Sequence, residues 1–344
     1  MNVKITLSII IPHLIGKKIL DECIESIISY TYDIDYEIIV VNNNCPDGSI
    51  EHIKQKFSQV NIINSSDNKG YAGGCNLGAK NAKGEFLLFL NNDTTITKDS
   101  IINLINKIKT NDKIASVQPK IKNYFNQNMF DYAGASGGYI DYLGYPFSRG
   151  RILNTIEEDT GQYDSQEQVF WASGTGFITK KNIFNEMQGF DESLFAHMEE
   201  IDYHWKCLLN GYEIYVEPQS IIYHKGAQTL SYGSYKKIYL NHRNSMILFL
   251  TNNQELSFLK ILKRGFLEKI ALQYYIIKLD FKGAFAIFNA NLWLLLNIKY
   301  LVERKKKVKS IIKKYHPISN KLMKEYSIIK KYFYNKKTKF NQLD

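Results

Sequence analysis

Short continuous apolar runs alternate, over the first 120 residues, with stretches whose apolar residues recur every three or four positions. Residues 6–11, 37–41, 60–64 and 85–90 are the continuous runs, and their length and β-branched content predict strands. Between the first two, Ile19, Leu20, Cys23, Ile24, Ile27 and Ile28 fall on one face of a helix. Residues 50–57 read as a second, short helix and 72–82 as a third, and Asp47-Gly48 marks a turn. Strands alternating with helices predict an α/β fold built on a mostly parallel sheet. Strands that are apolar throughout fit a sheet covered on both faces.

The pattern dissolves between about 120 and 168, where Gly, Tyr, Asn and Asp dominate without a period. So long a stretch inside a compact domain is expected to be a functional loop or lid. Regularity returns at 169–179, at a helical 201–210, and at strand-like 213–216 and 220–223. Beyond about 254, apolar and cationic residues mix at helical spacing. The strongly apolar 283–302 is interrupted by Asn289, Asn291, Asn297 and Lys299. A spanning helix needs about 20 mainly apolar residues. The expectation is an amphipathic helix lying on a membrane or on the preceding domain, with a true span as the alternative.

Composition adds a division of charge. The net charge of the 344 residues is +10. Residues 303–344 hold 14 Lys and Arg against three Asp and Glu, while the remainder holds 30 against 31. A neutral body with a basic tail points to an anionic partner for the tail, membrane surface or nucleic acid, or to a solvated helix. The body carries no nucleic-acid motif, so nucleic acid is not expected as a partner. Aromatics make up 13%, with 24 Tyr and 19 Phe, which suits a core plus sugar-stacking surfaces. Cys23, Cys45, Cys75 and Cys207 are widely spaced without a CxxC pair, so reduced thiols and a cytoplasmic setting are expected. The N-terminal apolar run stops at Pro12, too short for a signal peptide.

Asn91-Asn92-Asp93 follows the most apolar strand directly. Ligands of open α/β sheets sit at the carboxyl ends of strands. A carboxylate there can hold Mg²⁺ or Mn²⁺, which in turn neutralises a diphosphate leaving group. The neighbouring motifs occur in a set order: Ser8-Ile9-Ile10-Ile11-Pro12, then Val40-Val41-Asn42-Asn43-Asn44-Cys45-Pro46-Asp47-Gly48, then Asn68-Lys69-Gly70-Tyr71-Ala72-Gly73-Gly74-Cys75-Asn76, then Leu88-Phe89-Leu90-Asn91-Asn92-Asp93. Ala172-Ser173-Gly174-Thr175-Gly176, Gly189-Phe190-Asp191-Glu192, His197-Met198-Glu199-Glu200-Ile201-Asp202 and Pro218 to His224 follow. Over residues 5–250 this series resembles the family 2 glycosyltransferases, and among them the rhamnosyltransferase-like branch of polysaccharide assembly.

The resemblance implies a GT-A type nucleotide-sugar-binding domain at 1–250, with a donor half at 1–118 and an acceptor and catalytic half at 119–250. A helical, basic, membrane-associating region would follow at 251–344. It implies an inverting transferase that uses a nucleotide-diphosphate sugar and a glycan or lipid-linked glycan acceptor, peripheral on the inner face of the cell membrane. Pro12, Asn42, Asn44, Asp47, Asn68, Gly70, Tyr71, Gly73, Asn76, Asn91, Asn92 and Asp93 are the implied donor contacts. Asp47 reads equally as a turn cap. Glu200 stands where the family's base aspartate usually stands, with Glu199 and Asp191 the other catalytic candidates. Trp171, Ser173, Gly174, Asp191 and Asp202 are the implied acceptor side; Trp171 fits a core role as well, and Asp202 a role at the helix start. Asp93 and His224 are the implied ligands of a divalent cation, Mn²⁺ or Mg²⁺; His224 reads also as a structural histidine. Asn42 and Asn91 replace acidic residues of the family pattern, so a catalytically degenerate sugar-binding relative is the alternative. The sequence leaves the oligomeric state unknown.

Overall fold

The computed structural model describes residues 5–226 and 233–343. Its core is a nine-stranded sheet. Strands β1 (Leu7–His13), β2 (Tyr36–Asn42), β3 (Val60–Asn64) and β4 (Phe86–Leu90) pair in parallel in the order β4-β1-β2-β3. Helices α1 (Lys17–Tyr30), α2 (Ser49–Lys56) and α3 (Gly70–Asn81) make the crossovers. This is the α/β architecture that the alternation predicts, with each bound within two residues of its expectation.

Both faces of the sheet are covered, as the continuous apolar strands require. Ile9, Ile11, Val40 and Leu88 pack against Leu20, Ile24 and Ile27 of α1. Ile10, Val41 and Phe89 point the other way, onto Ala72, Cys75 and Ala79 of α3. Each fully buried aliphatic or aromatic side chain contributes roughly 1.5–3 kcal/mol. Gly78 lets α3 approach β1, because a Cβ there would lie 2.4 Å from Ile10.

Beyond β4, the strand Gly176–Lys180 inserts antiparallel between β4 and β6 (Ile114–Asn123). Glu213–His224 then pairs with β6 in parallel; it is one strand with an irregularity between Glu217 and Ile221, not two. β5 (Thr94–Ile96) pairs with its far end, bringing His224 opposite Thr94. Helix α4 (Ser100–Lys109) covers this half.

The expected loop or lid at 120–168 is instead a second, five-stranded sheet. Its members Gly138–Asp141, Pro146–Ser148, Arg151–Ile152, Thr155–Ile156 and Met323–Lys324 are only two to four residues long. Strands so short carry no readable period. Phe130, Phe147 and Ile152 are fully buried among them. The fifth strand comes from the far end of the chain, so this sheet is built from residues more than 180 positions apart.

The C-terminal region forms helices Tyr235–Asn252, Phe258–Ile277, Phe281–Leu296 and Ile298–Ile311. The apolar stretch expected as one amphipathic helix is broken at Asn297, whose amide bonds back to the Trp293 carbonyl, and the two halves meet at 75°. Among the described residues no single helix is long and apolar enough to cross a membrane, although this bent pair meets the criterion together. Leu294, Ile311, Leu322, Ile328 and Leu343 join the same core as Phe89 and Ile10. The stretches before and after residue 250 therefore share one interior.

Candidate active site

The carboxyl ends of β1, β2 and β4 lie side by side and supply the donor-side candidates. At the end of β2, Asn42 Oδ1 accepts from the Cys45 amide and its Nδ2 donates to Asn64, so Asn42 caps the turn. Asn43 is buried and ties this turn to the next loop: it donates to Gly70 O and Asn68 Oδ1 and accepts from Lys69 N. Asn44 is exposed, with φ 63°. Asp47 is exposed and accepts from the amides of Gly16 and Ser49, which joins the β1 and β2 turns. Burial pushes its carboxyl up, but hydrogen bonds from Cys45, Ser49 and Gly16 outweigh that and hold it below the usual carboxylate range. Gly70 is a required glycine: its φ is +69°, and a Cβ would lie 2.2 Å from Phe195 O.

Asn92 is buried and turned inward, donating to His13 Nδ1 at 2.8 Å and to Ile15 O. That bond leaves the ring proton of the neutral His13 on Nε2, where it is buried without an acceptor. His13, Cys45 and Asp47 lie close enough to suggest a metal trio.

Asp93 and His224 meet, as the resemblance implies. His224 Nε2 lies 3.2 Å from Asp93 Oδ1, and its Nδ1 lies 2.8 Å from Asp131 Oδ1. All three are buried. Burial disfavours the imidazolium, but Asp93 and Asp131 outweigh it and raise His224 to about 10. An imidazole oriented by one carboxylate, with its other nitrogen beside a second, is a common arrangement around a divalent cation. The residues fit such an ion in chemistry: one carboxylate oxygen and one imidazole nitrogen at adjacent strand ends.

The segment Ser173–Thr175 runs beside these strand ends. Asn91 N donates to Thr175 O, while Ser173 is buried and bonded to Ala133 O and Gln118. Tyr71 Oη donates to Gly174 O. A Cβ on Gly174 would come within 3.7 Å of the Glu200 carboxyl carbon, so this glycine lies between Tyr71 and Glu200.

Glu199 and Glu200 open the helix Glu199–Leu209. The turn before it holds Phe195, His197 and Met198 at positive φ. Strain of this kind persists only where neighbours over-determine it; Asn244 Nδ2 donates to the carbonyls of Leu194, Ala196 and His197. One oxygen of Glu199 and one of Glu200 are buried without a partner. Burial, and the neighbouring Glu200 charge, push Glu199 well above the carboxylate range. Burial also lifts Glu200, to about 7, against hydrogen bonds from its own backbone and from Gly174.

Three expectations change. Trp171 is in the core at 5% exposure, its Nε1 donating to Tyr139 O and its ring against Gly138, so it offers no face to a sugar. Trp171→Ala is accordingly expected to cost about 3–5 kcal/mol in a denaturant titration; unchanged stability with a weakened acceptor KM would restore the stacking role. Asp202 is buried in an ion cluster, 2.6 Å from Arg304 and 3.1 Å from Lys206, and cannot meet an acceptor. Asn76 uses its amide on Phe190 and Glu192, holding the Gly189–Asp191 loop rather than a nucleotide. Asp191 accepts from Ser193 and pairs with Arg304 at 2.9 Å. A Cβ on Gly73 would lie 3.6 Å from the Glu192 carboxyl, and one on Gly74 would lie 3.0 Å from Pro12 Cβ.

Sequence reading passes over Asn43, Asp131, His13 and Arg304. Asp131 lies in the stretch without a period, and Arg304 in a run of cations; neither carries a local signal. His13 directly follows the first motif and was within reach of it.

The fold is that of a GT-A type domain, and the chain belongs to glycosyl transferase family 2, whose model matches residues 8–187. A poly-beta-1,6-N-acetyl-D-glucosamine synthase of Staphylococcus epidermidis is 25% identical over 207 residues, 58% of this chain and 46% of that one. A poly(ribitol-phosphate) beta-glucosyltransferase of Bacillus spizizenii is 33% identical over 110 residues, 30% of this chain and 17% of that one. The chain spans about half the length or less of these relatives. GalNAc-T7, solved with UDP, GalNAc and Mn²⁺, matches with a TM-score of 0.58 at 17% identity, covering 73% of this chain and 48% of its own. The mannosyltransferase PcManGT of Pyrobaculum calidifontis, solved with GDP-Man and Mn²⁺, matches at 0.52 and 12% identity over 90% and 84%.

Proposed function

We propose that the protein transfers a sugar from a nucleotide-diphosphate donor to a glycan or lipid-linked glycan, with inversion, in the assembly of a cell-surface polysaccharide. The order of its motifs favours the rhamnosyltransferase-like branch. The observation that carries the reading is Glu200: a carboxylate poised near neutrality, one oxygen unpartnered, beside the glycine segment that abuts the Asp93 strand end.

In the reaction an acceptor hydroxyl oxygen forms a bond to the anomeric carbon as the bond to the diphosphate oxygen breaks. The leaving diphosphate keeps the electron pair, and Glu200 takes the hydroxyl proton. Glu199, held protonated by burial and its neighbour, keeps a second negative charge away from the base. Asp191 and the 70–76 segment shape the crevice. Asp93 and His224 would hold a divalent ion, with Asp131 orienting the imidazole, and that ion would supply charge neutralisation for the leaving diphosphate.

The test is donor turnover with acceptor and Mn²⁺; binding of a nucleotide sugar without turnover in any combination leaves the silent relative instead. A second experiment addresses the metal site without turnover. Mn²⁺ with UDP or GDP is expected to raise the melting temperature of the parent, and Asp93→Asn to remove the Mn²⁺-dependent part of that rise. An equal rise in both would move the ion elsewhere.

The reading puts the protein at the inner face of the cell membrane, where the basic stretch 303–339 meets anionic headgroups at roughly 1 kcal/mol per well-placed cation.

A further inference from the structure

The helix Phe258–Ile277 buries the wrong residues for a helix in water. Its buried side chains are Arg264 and Glu268, paired at 3.0 Å and enclosed with His242, Ser245 and Tyr145. Its large apolar side chains face out: Phe258, Leu262, Phe266, Ile270 and Tyr274 recur every fourth position and form one exposed stripe. Phe258 is 74% exposed and Phe266 63%.

The next helix, Phe281–Leu296, also exposes a row of large apolar residues, while its buried face carries Ile287 and Leu294 among small residues. Its small residues Gly283, Ala284, Ala286 and Ala290 face the protein, and Gly283 touches the Tyr275 ring so closely that a Cβ would lie 2.1 Å away. Phe281, Phe285, Phe288 and Leu295 face out. The two stripes belong to one helical hairpin whose inner faces close on each other and on Ile238. Rows of large exposed apolar side chains on neighbouring helices mark an interaction surface rather than an ordinary face in water.

Charge selects what covers the hairpin. The exposed charges of the hairpin, Lys263, Lys269 and Lys282 on its helices and Lys278 in the turn between them, are all positive, while Glu268 is buried and paired inward and the half-buried Asp280 caps the second helix. Exposed apolar rows among lysines complement a bilayer whose headgroups are anionic and whose acyl region lies just beneath. A second copy of the chain would bring the same lysines against themselves.

We infer that the hairpin 258–296 is a monotopic membrane anchor, lying in the plane of an anionic leaflet with its aromatic stripe in the acyl boundary. This deepens the membrane-side placement proposed above and locates the insertion in the hairpin, ahead of the basic tail. It is independent of whether sugar transfer occurs.

The test is flotation of the full chain with vesicles of phosphatidylcholine alone and mixed equally with phosphatidylglycerol. The parent is expected to float with the mixed vesicles. Phe266→Ser with Phe285→Ser is expected to lose at least ~tenfold in vesicle affinity, because burial of apolar area sets this binding. Both sites are exposed, so the variant should keep the parent's nucleotide-induced rise in melting temperature. Replacing Lys305, Lys306 and Lys307 with Ala should weaken flotation less. A parent that stays unbound with mixed vesicles overturns the inference. So does a double variant that floats as well as the parent, or a parent dimer that the double variant splits without vesicle binding. If the parent floats but never transfers sugar, the anchor stands and the transferase reading falls.

Discussion

Glu200→Gln is expected to leave nucleotide-sugar binding near normal while transfer falls by roughly 10²–10⁴-fold, the usual contribution of a positioned general base. The measurement pairs initial rates with the donor-induced shift in melting temperature. The parent's pH profile carries the same signature. Burial holds Glu200 at about 7, and the base form is the ionised one. The rate should therefore climb as pH rises through 7 and level off above it, with the climb absent from the residual rate of the variant. Stability moves in the opposite sense. A carboxyl raised by folding costs stability once the pH exceeds its unfolded value, about 4.3, because the unfolded chain ionises first. Glu200→Gln should thus melt no lower than the parent at pH 8, which separates a lost proton acceptor from a damaged fold. Unimpaired transfer would move the base to Glu199 or Asp191.

The second large effect lies far from any motif. Arg304→Ala is expected to cost about 3–5 kcal/mol of stability, because it leaves Asp202 buried with a weaker partner set. Arg304 bonds to Asp202, Asp191, Thr251 and the Asn252 side-chain oxygen, so one guanidinium gathers three chain segments. The pH dependence identifies the cause. Burial pushes the Asp202 carboxyl up, but Arg304 and then Lys206 outweigh it and hold it well below the usual range. A depressed carboxyl stabilises the fold above its ordinary value, about 4, and that contribution is lost as pH falls further. The gap between parent and Arg304→Ala in denaturant titrations should therefore be full at pH 7 and narrow in acid. A gap that is constant with pH would assign the loss to packing alone. Because Asp191 loses its partner too, transfer should fall in the variant even under conditions where it is fully folded.

The β1–β4 unit was legible because its signals are local. Ile9 and Ile11 against Ile10, or Leu88 against Phe89, sort to opposite faces by alternation alone, and α1 follows from spacing within fourteen residues. Asp93 and Glu200 were legible for a different reason: each sits directly at a boundary the pattern marks, a strand end and a helix start. What was not legible depends on distant chain. Nothing near Trp171 in sequence says that Gly138 gives its ring a slot. Nothing near Asp202 announces a cation 102 positions later. Asp191, Glu199, Glu200 and Asp202 all read as candidates for chemistry, whereas Asp202 is committed to Arg304 and Asp191 is partly so. Asn76 belongs to the same class, since its amide suits a nucleotide as well as the Phe190 backbone it actually meets.

The pairing of Met323–Lys324 with Gly138–Asp141 bears on how the chain is made. Tyr142 N donates to the Lys324 carbonyl, and the Asp141 carboxylate accepts from Ile328 N. During synthesis the 138–156 sheet leaves the ribosome with one edge open, and that edge waits for about 180 further residues before its partner arrives. At roughly 5–20 residues per second the wait lasts on the order of ten seconds or more. The parallel four-strand unit β1–β4 can fold within that interval, whereas the five-stranded sheet is finished only by the last part of the chain. Any premature stop before residue 324 would release a protein with an unpaired edge strand, a template for aggregation as well as a lost function.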